Sequence, residues 1–233
     1  VELLVTITII TMLAGMVLGG LSMARTSARE MKTKATIAKL DEIVMRMYAG
    51  YGNRRVPINT SGLNRVEAAN AKNTSLADLI RMEMPQTFTE ISTGPTSTYG
   101  LQQPALQRAY QAYRTARPGT ANVNESAACL FMIVSIANPR DKEHFRPDEI
   151  GGFDSNRPNF FVDAWGNPIG FRRSPSGFTD SDIQDSSNLL PLVVSGGPDG
   201  KIGLTNTGAP VASGHTEYGT HYDNIHNHRL DIR

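Results

Sequence analysis

Residues 3–24 read LLVTITIITMLAGMVLGGLSMA and contain no charged side chain. As an α-helix this segment would be about 33 Å long, at about 1.5 Å per residue, and the hydrocarbon core of a bilayer is about 30 Å thick. The segment is therefore long enough and apolar enough to span a membrane. A secretory signal peptide would have a shorter apolar region with a small-residue cleavage site behind it, which is not the pattern here.

The residues that follow predict that the same helix continues beyond the apolar segment as an amphipathic helix. Four basic residues come first, and apolar residues then recur at steps of three and four, at Ile37, Leu40, Ile43, Val44, Met47 and Tyr48. This spacing places one apolar stripe on a helix. We therefore predict a helix that runs to about Tyr48 and ends near Gly50 and Gly52. Residues 1–24 would form its membrane-spanning half, and residues 25–52 its amphipathic half, packed on a protein core.

The composition excludes several classes of protein. The 233 residues carry 23 basic and 22 acidic side chains, and this near-balance argues against a nucleic-acid-binding protein, which concentrates positive charge. The single cysteine, Cys129, excludes an intramolecular disulfide and argues against a zinc ribbon. No nucleophile elbow, phosphate loop, zinc-protease motif or dinucleotide fingerprint occurs, so no catalytic residue is predicted and the expectation is that the protein is not an enzyme.

Residues 53–233 are predicted to form a soluble α+β globular head. Helices are expected over residues 76–84, with Ser75 as N-cap, and over 105–116 and 126–137. Strands are expected over residues 160–163, 169–173 and 190–195, with the turn at 166–168 joining the first two. In this arrangement the apolar stripe of the long helix covers one face of a small antiparallel sheet.

Glu2 has two interpretations at this stage. A carboxylate at the N-terminal end of an apolar helix is favoured by the helix dipole and can lie among lipid headgroups. Alternatively, it is held in place to be neutralised by a cation on a neighbouring chain once the helices leave the membrane, since burying it in the bilayer costs a few kcal/mol. The residue types alone do not decide between the two.

The N-terminal segment VELLVTITIITMLAGMVLGGL, residues 1–21, resembles the start of the type IV pilin and type II secretion pseudopilin superfamily. The resemblance implies a mature start three residues upstream of Val1, after a leader that a prepilin peptidase removes. It implies that Glu2 pairs with the N-terminal amine of an adjacent subunit, and that the helices pack together in the filament core. The assembly residues would be Glu2, Leu3, Leu4, Ile7, Ile9, Ile10, Leu13, Val17, Leu18 and Leu21.

Three glycines interrupt the apolar run, at Gly15, Gly19 and Gly20. Glycines are common in membrane helices and allow close helix contacts, which accounts for them without any further role. The resemblance to pilins implies more, because the helices of that family lose regular structure in this neighbourhood when they pack into filaments. Glycine weakens a helix interior by about 1 kcal/mol relative to alanine, so this is where unwinding would cost least.

Two later segments also resemble the major pseudopilins. Residues 163–168, DAWGNP, are similar to a turn of those proteins, and residues 195–200, SGGPDG, followed by Asp223, are similar to their C-terminal loop and closing acidic element. That resemblance implies a bound Ca²⁺ with Ser195, Asp199 and Asp223 as ligands, and a glycine-rich loop does offer the oxygen atoms that Ca²⁺ prefers. Pro-Asp-Gly is also an ordinary turn that needs no ion.

The resemblance implies a structural subunit that polymerises through its N-terminal helix into an extracellular type IV pilus-like filament. Its partners would be copies of itself, the prepilin peptidase and the inner-membrane assembly machinery. The unassembled subunit would stand in the bacterial inner membrane, and the assembled one at the cell surface. The alternatives are a major pseudopilin of a type II secretion system and, from a different class, a single-pass membrane-anchored enzyme or binding domain.

Overall fold

The computed structural model describes residues 2–119, 124–173, 190–204, 213 and 223–230. Helix α1 spans Glu2–Gly50 without a break and is 49 residues long. A 3-10 turn, Tyr51–Asn53, follows it directly. The prediction of one helix that runs from the apolar segment through the amphipathic one and ends near Gly50 is confirmed.

Among the residues that the structure describes, the head adds five shorter α-helices, of which the sequence predicted three. These are α2 (Arg65–Glu83), α3 (Phe88–Ser92), α4 (Ala105–Ala116), α5 (Glu125–Ala137) and α6 (Pro139–Lys142). The bounds predicted for α4 are confirmed, and α5 begins one residue before the predicted start, because the side chain of Asn124 accepts a hydrogen bond from the N–H of Ala127.

The predicted start of α2 was wrong by eleven residues. Asn64 and Glu67 form a reciprocal capping box, in which each side chain accepts a hydrogen bond from the other's backbone N–H. A capping box satisfies two of the N–H groups that a helix start leaves without partners, and it therefore fixes the first turn here. Ser75, the expected cap, lies inside α2, where its hydroxyl is hydrogen-bonded to that of Ser97.

The described strands form two small antiparallel sheets. Strands β1 (Ile150–Gly151) and β2 (Phe160–Phe161) make one, and β3 (Gly170–Arg172), β4 (Leu192–Ser195) and β5 (Ile225–His226) make the other, in the order β3-β4-β5. The predicted turn at residues 166–168 is present, but the strands on its two sides belong to different sheets. A single bridge between Val162 and Pro168 connects them.

The core lies where the second half of α1 crosses the head. The apolar stripe of α1 lies there in one cluster with side chains of α5 and of both sheets, namely Phe131, Phe161, Phe171, Val193 and Ile225, and only its last two residues, Met47 and Tyr48, are partly buried. Full burial of one such aliphatic side chain contributes about 1.5–3 kcal/mol, so the stripe is a major part of the head's stability. The fold is therefore α+β, with a long N-terminal helix packed on a C-terminal head that has extra helices and small antiparallel sheets, as predicted.

Candidate functional site

The first half of α1 projects from the head with its apolar side chains uncovered. All residues from 3 to 30 are exposed. The nine apolar residues predicted to drive assembly keep between 45% and 75% of their surface accessible, namely Leu3, Leu4, Ile7, Ile9, Ile10, Leu13, Val17, Leu18 and Leu21. By length and hydropathy this helix can cross a membrane. An apolar surface this large on a water-soluble monomer is unusual and marks a site of interaction with lipid or protein.

Three threonines within the apolar half carry hydroxyl groups that need no external partner. Thr6, Thr8 and Thr11 each donate a hydrogen bond to a backbone carbonyl one turn earlier, at 2.8–2.9 Å. A hydroxyl satisfied in this way can enter an apolar environment without the cost of an unpaired polar group. The segment is therefore apolar in effect along its whole length.

The glycines and Glu2 lie in regular helix. A Cβ atom added at Gly15, Gly19 or Gly20 would meet no atom within 4 Å, so packing inside the subunit does not require glycine at these positions. Their unwinding in a polymer stays a prediction. Glu2 is the first residue of α1, and its side chain lies outside the described part of the structure.

Polar contacts fix α1 to the head at the N-terminal end of the apolar stripe. The hydroxyl of Thr36 and the ammonium of Lys39 both donate hydrogen bonds to the carboxylate of Glu149, at 2.6 and 2.9 Å. Burial alone would raise the pKa of Glu149, but these two bonds and the N–H of Arg146 together lower that pKa below its ordinary value. The hydroxyl of Thr33, also buried, accepts the N–H of Ala164 at 3.1 Å.

Further polar contacts fix the C-terminal end of α1 and the turn that follows it. Arg46 forms an ion pair with the buried Asp141 at 2.6 Å. Beyond the helix end, Tyr51 donates a hydrogen bond to Glu83 at 2.8 Å, and Arg54 pairs with the same carboxylate. Burial, followed by the charge of Glu83, raises the pKa of Tyr51 well above its usual value, so this hydroxyl stays a donor. Helix α1 is therefore held to the head from Lys32 to its C-terminal end.

The two segments that resemble pseudopilin motifs meet in space. The carboxylate of Asp163 accepts hydrogen bonds from the N–H groups of Trp165 and Asn167, at 2.9 and 2.8 Å, and from the hydroxyl of Ser195, at 2.7 Å. The amide of Asn167 donates in turn to the carbonyl of Gly197 at 3.0 Å. We call these five residues the turn junction. Ala164, which lies between Asp163 and Trp165 in the same turn, donates its N–H to Thr33, so the turn also contacts α1.

The glycine-rich loop approaches the C-terminal segment closely. Gly197 has a φ of +61°, and a Cβ atom on it would lie 2.5 Å from the carbonyl oxygen of Asp223. Only glycine fits this conformation and this contact. Asp199 accepts the N–H of Lys201 at 2.7 Å. The pKa of Asp223 is raised, first because its carboxyl has lost part of its contact with water and then because of the charge of Asp199.

The loop has features that suit a bound Ca²⁺ and one that does not follow the expected ligand set. Two carboxylates repel each other, and beside them Oδ1 of Asn224 is buried with no hydrogen-bond partner among the described residues. Ser195, the third expected ligand, is buried, and its hydroxyl already donates to Asp163 and accepts the N–H of Gly197. Within the described ranges no three acidic, histidine or cysteine side chains cluster, so backbone and amide oxygens would have to complete the site.

The contacts of Thr33, Thr36 and Glu149 were missed in the sequence. A signal was present, because Thr33 and Thr36 extend the apolar stripe toward the N-terminus at the same three- and four-residue spacing. No sequence signal identified Glu149 as their partner.

Comparison of the chain with protein-family models, with curated proteins and with solved structures gives no match.

Proposed function

We propose that this chain is a structural subunit that polymerises through α1 into an extracellular filament of the type IV pilus kind. The observation that carries the proposal is the division of α1. Its second half is fixed to the head by a buried stripe and by ion pairs, whereas its first half exposes apolar side chains that no described part of the chain covers. Such a helix is suited to exchange lipid for copies of itself.

The physical argument concerns what covers the apolar half in each state. Before assembly the bilayer covers it, and the head remains in water. Outside the membrane, each exposed apolar side chain would cost about 25 cal/mol per Å² of contact with water, so the helices of other subunits must take the place of the lipid. Ordering the subunits offsets part of this gain. The filament core would then consist of the first halves of many α1 helices.

Glu2 gives the proposal its specificity. Apolar packing alone sets neither the register nor the order of subunits, because any apolar helix would do. A carboxylate carried into the filament core must be neutralised, and the resemblance to pilins implies that the N-terminal amine of an adjacent subunit neutralises it. This pairing would select one axial offset between neighbouring helices.

A major pseudopilin of a type II secretion system is the second candidate. The turn junction favours it, since the two segments that resemble major pseudopilins contact each other through Asp163 and Ser195. The two candidates differ in what the loss of the gene removes. A pilus subunit is recovered from shed surface fibres, whereas a pseudopilin is needed for the release of folded proteins.

The test compares Glu2→Ala with Glu30→Ala, which removes an exposed acid from the same helix beyond the apolar half. We expect Glu2→Ala to leave the protein in the membrane fraction with a folded head while fibres are lost from electron micrographs. Glu30→Ala should give fibres in normal yield, and mass spectrometry of those fibres should identify this chain. A normal fibre yield with Glu2→Ala would contradict the proposal.

A further inference from the structure

Three basic residues after the apolar segment lie on one face of α1. Arg25, Arg29 and Lys32 are spaced i, i+4 and i+7, and residues at this spacing are stacked along the same side of a helix. Lys32 shows which side this is, because its ammonium contacts the carboxylate of Asp148 on the head at 2.6 Å. The face therefore lies on the side of α1 that carries the head, and Arg25 and Arg29 lie beneath it.

The two arginines differ from Lys32 in having no acidic partner. Both are exposed, and neither forms an ion pair with any residue that the structure describes. The nearest acid in sequence, Glu30, lies about 100° around the helix from Arg29. This leaves two exposed arginines, one turn apart on α1, between the head and the end of the apolar segment.

The helical rise gives the height of each charge above the membrane. If Ala24 marks the edge of the hydrocarbon, Arg25 lies about 1.5 Å above it, Arg29 about 7.5 Å and Lys32 about 12 Å. The headgroup layer on each side of a bilayer is about 5–7.5 Å thick. Both arginines thus fall within the headgroup layer, and Lys32 lies above it, where its partner belongs to the head.

We propose that Arg25 and Arg29 bind the phosphate groups of anionic phospholipids and so set the height of the head above the membrane before assembly. This inference rests on the membrane-inserted state in the proposed function. A guanidinium group can donate two parallel hydrogen bonds to a phosphate, and its charge is permanent. Anionic lipids are favoured over zwitterionic ones because no lipid-borne cation competes with the arginines.

The experiment uses the full chain in mild detergent with equimolar phosphatidylglycerol and phosphatidylcholine of identical acyl chains. Native mass spectrometry counts the lipids that remain bound. We expect the wild type to retain phosphatidylglycerol preferentially. In the double variant Arg25→Gln/Arg29→Gln, the ratio of bound phosphatidylglycerol to bound phosphatidylcholine should fall about fivefold for each arginine removed. The matched control, Arg55→Gln/Arg108→Gln, makes the same charge change at two exposed positions of the head and should keep the preference.

Parallel vesicle samples separate this inference from the proposed function. Carbonate-resistant insertion of the wild type and of both double variants, with a lipid preference lost only in Arg25→Gln/Arg29→Gln, supports the inference. Insertion with an unchanged preference overturns the inference alone. If Arg25→Gln/Arg29→Gln keeps the lipid preference but loses fibres, the inference is also overturned, because the two arginines would then contact another subunit and not lipid. A wild type that carbonate removes from the vesicles overturns the membrane-inserted state and, with it, both proposals.

Discussion

The hydroxyl of Ser195 donates a hydrogen bond of 2.7 Å to the carboxylate of Asp163, although the two residues are 32 positions apart. The same carboxylate accepts two backbone N–H groups of its own turn, from Trp165 and Asn167. One buried acid thus organises the turn after β2 and also holds the glycine-rich loop after β4. The position of the loop relative to α1 depends on this contact, because the turn itself touches Thr33.

We expect Asp163→Ala to destabilise the head by about 3 kcal/mol. Hydrogen bonds to charged groups contribute about 1.5–3 kcal/mol each, and the substitution leaves the buried hydroxyl of Ser195 without its acceptor. Urea unfolding of a fragment comprising residues 25–233 measures the effect, since this fragment retains the part of α1 that packs on the head. Asp154→Ala, at an exposed acid 3.4 Å from Arg157, should change the stability by less than about 1 kcal/mol. Equal effects of the two variants would contradict this account.

Two leucines on α1 should respond differently to the same substitution. Leu40 is fully buried in the core, so Leu40→Ala should lower the head's stability by about 2–5 kcal/mol through lost burial and the cavity left behind. Leu18 is 68% exposed, and Leu18→Ala should leave the head's melting temperature unchanged in detergent while it reduces fibre yield. Near-UV circular dichroism of the full chain reports the melting. A lowered melting temperature for Leu18→Ala would show that the apolar half packs on the head.

The ion pair of Lys39 with Glu149 predicts a pH dependence. The pKa of Glu149 is lower in the folded chain than in the unfolded one, so its contribution to stability is present above about pH 4.5 and is lost as the pH falls through the folded pKa. At pH 7 the melting temperature of Glu149→Gln should therefore be lower than that of the wild type, and this difference in melting temperature should become smaller below about pH 4. Melting curves from pH 3 to 7 measure this, with the exposed Glu143→Gln as a control that follows the wild type. A difference that stays constant over this range would rule out Glu149 as the titrating group.

Calcium should stabilise the glycine-rich loop. The pKa of Asp223 is raised, so this carboxylate favours the folded state below its unfolded pKa and opposes it as the pH rises through the folded pKa. A divalent cation would reverse this effect. At about 100 times its dissociation constant, Ca²⁺ should raise the melting temperature of the 25–233 fragment by about 5–10 °C, and a chelator should remove the gain.

Asp223→Asn separates calcium binding from general effects of salt. In chelator this variant should melt at or above the wild type, since it removes the repulsion with Asp199, and it should gain nothing from Ca²⁺. Asp154→Asn, in a different loop, should respond to Ca²⁺ as the wild type does. If the melting temperature of the wild type is the same with calcium and with chelator, the loop is an ordinary turn.

Much of the helical structure could be predicted because its signals are local. The apolar segment and the stripe from Ile37 to Tyr48 repeat at the helical period, and α4 and α5 begin at a proline and at an asparagine cap. The start of α2 was also coded locally, by Asn64 and Glu67, but Ser75 was taken as the cap in place of Asn64. The short strands were placed approximately, because two- to four-residue strands carry little alternation.

The sequence by itself determined that a long helix with an apolar first half precedes an α+β head, since period and hydropathy are properties of neighbouring residues. Only the tertiary structure decided that Thr33 and Thr36 belong to the buried face of α1. It also decided that Glu149 accepts hydrogen bonds from Thr36 and Lys39 of α1, and that Asp163 accepts one from Ser195. These contacts join residues from 32 to 131 positions apart. A polar side chain has the same local signal whether it meets water or a buried partner, and only the folded chain brings that partner within hydrogen-bonding distance.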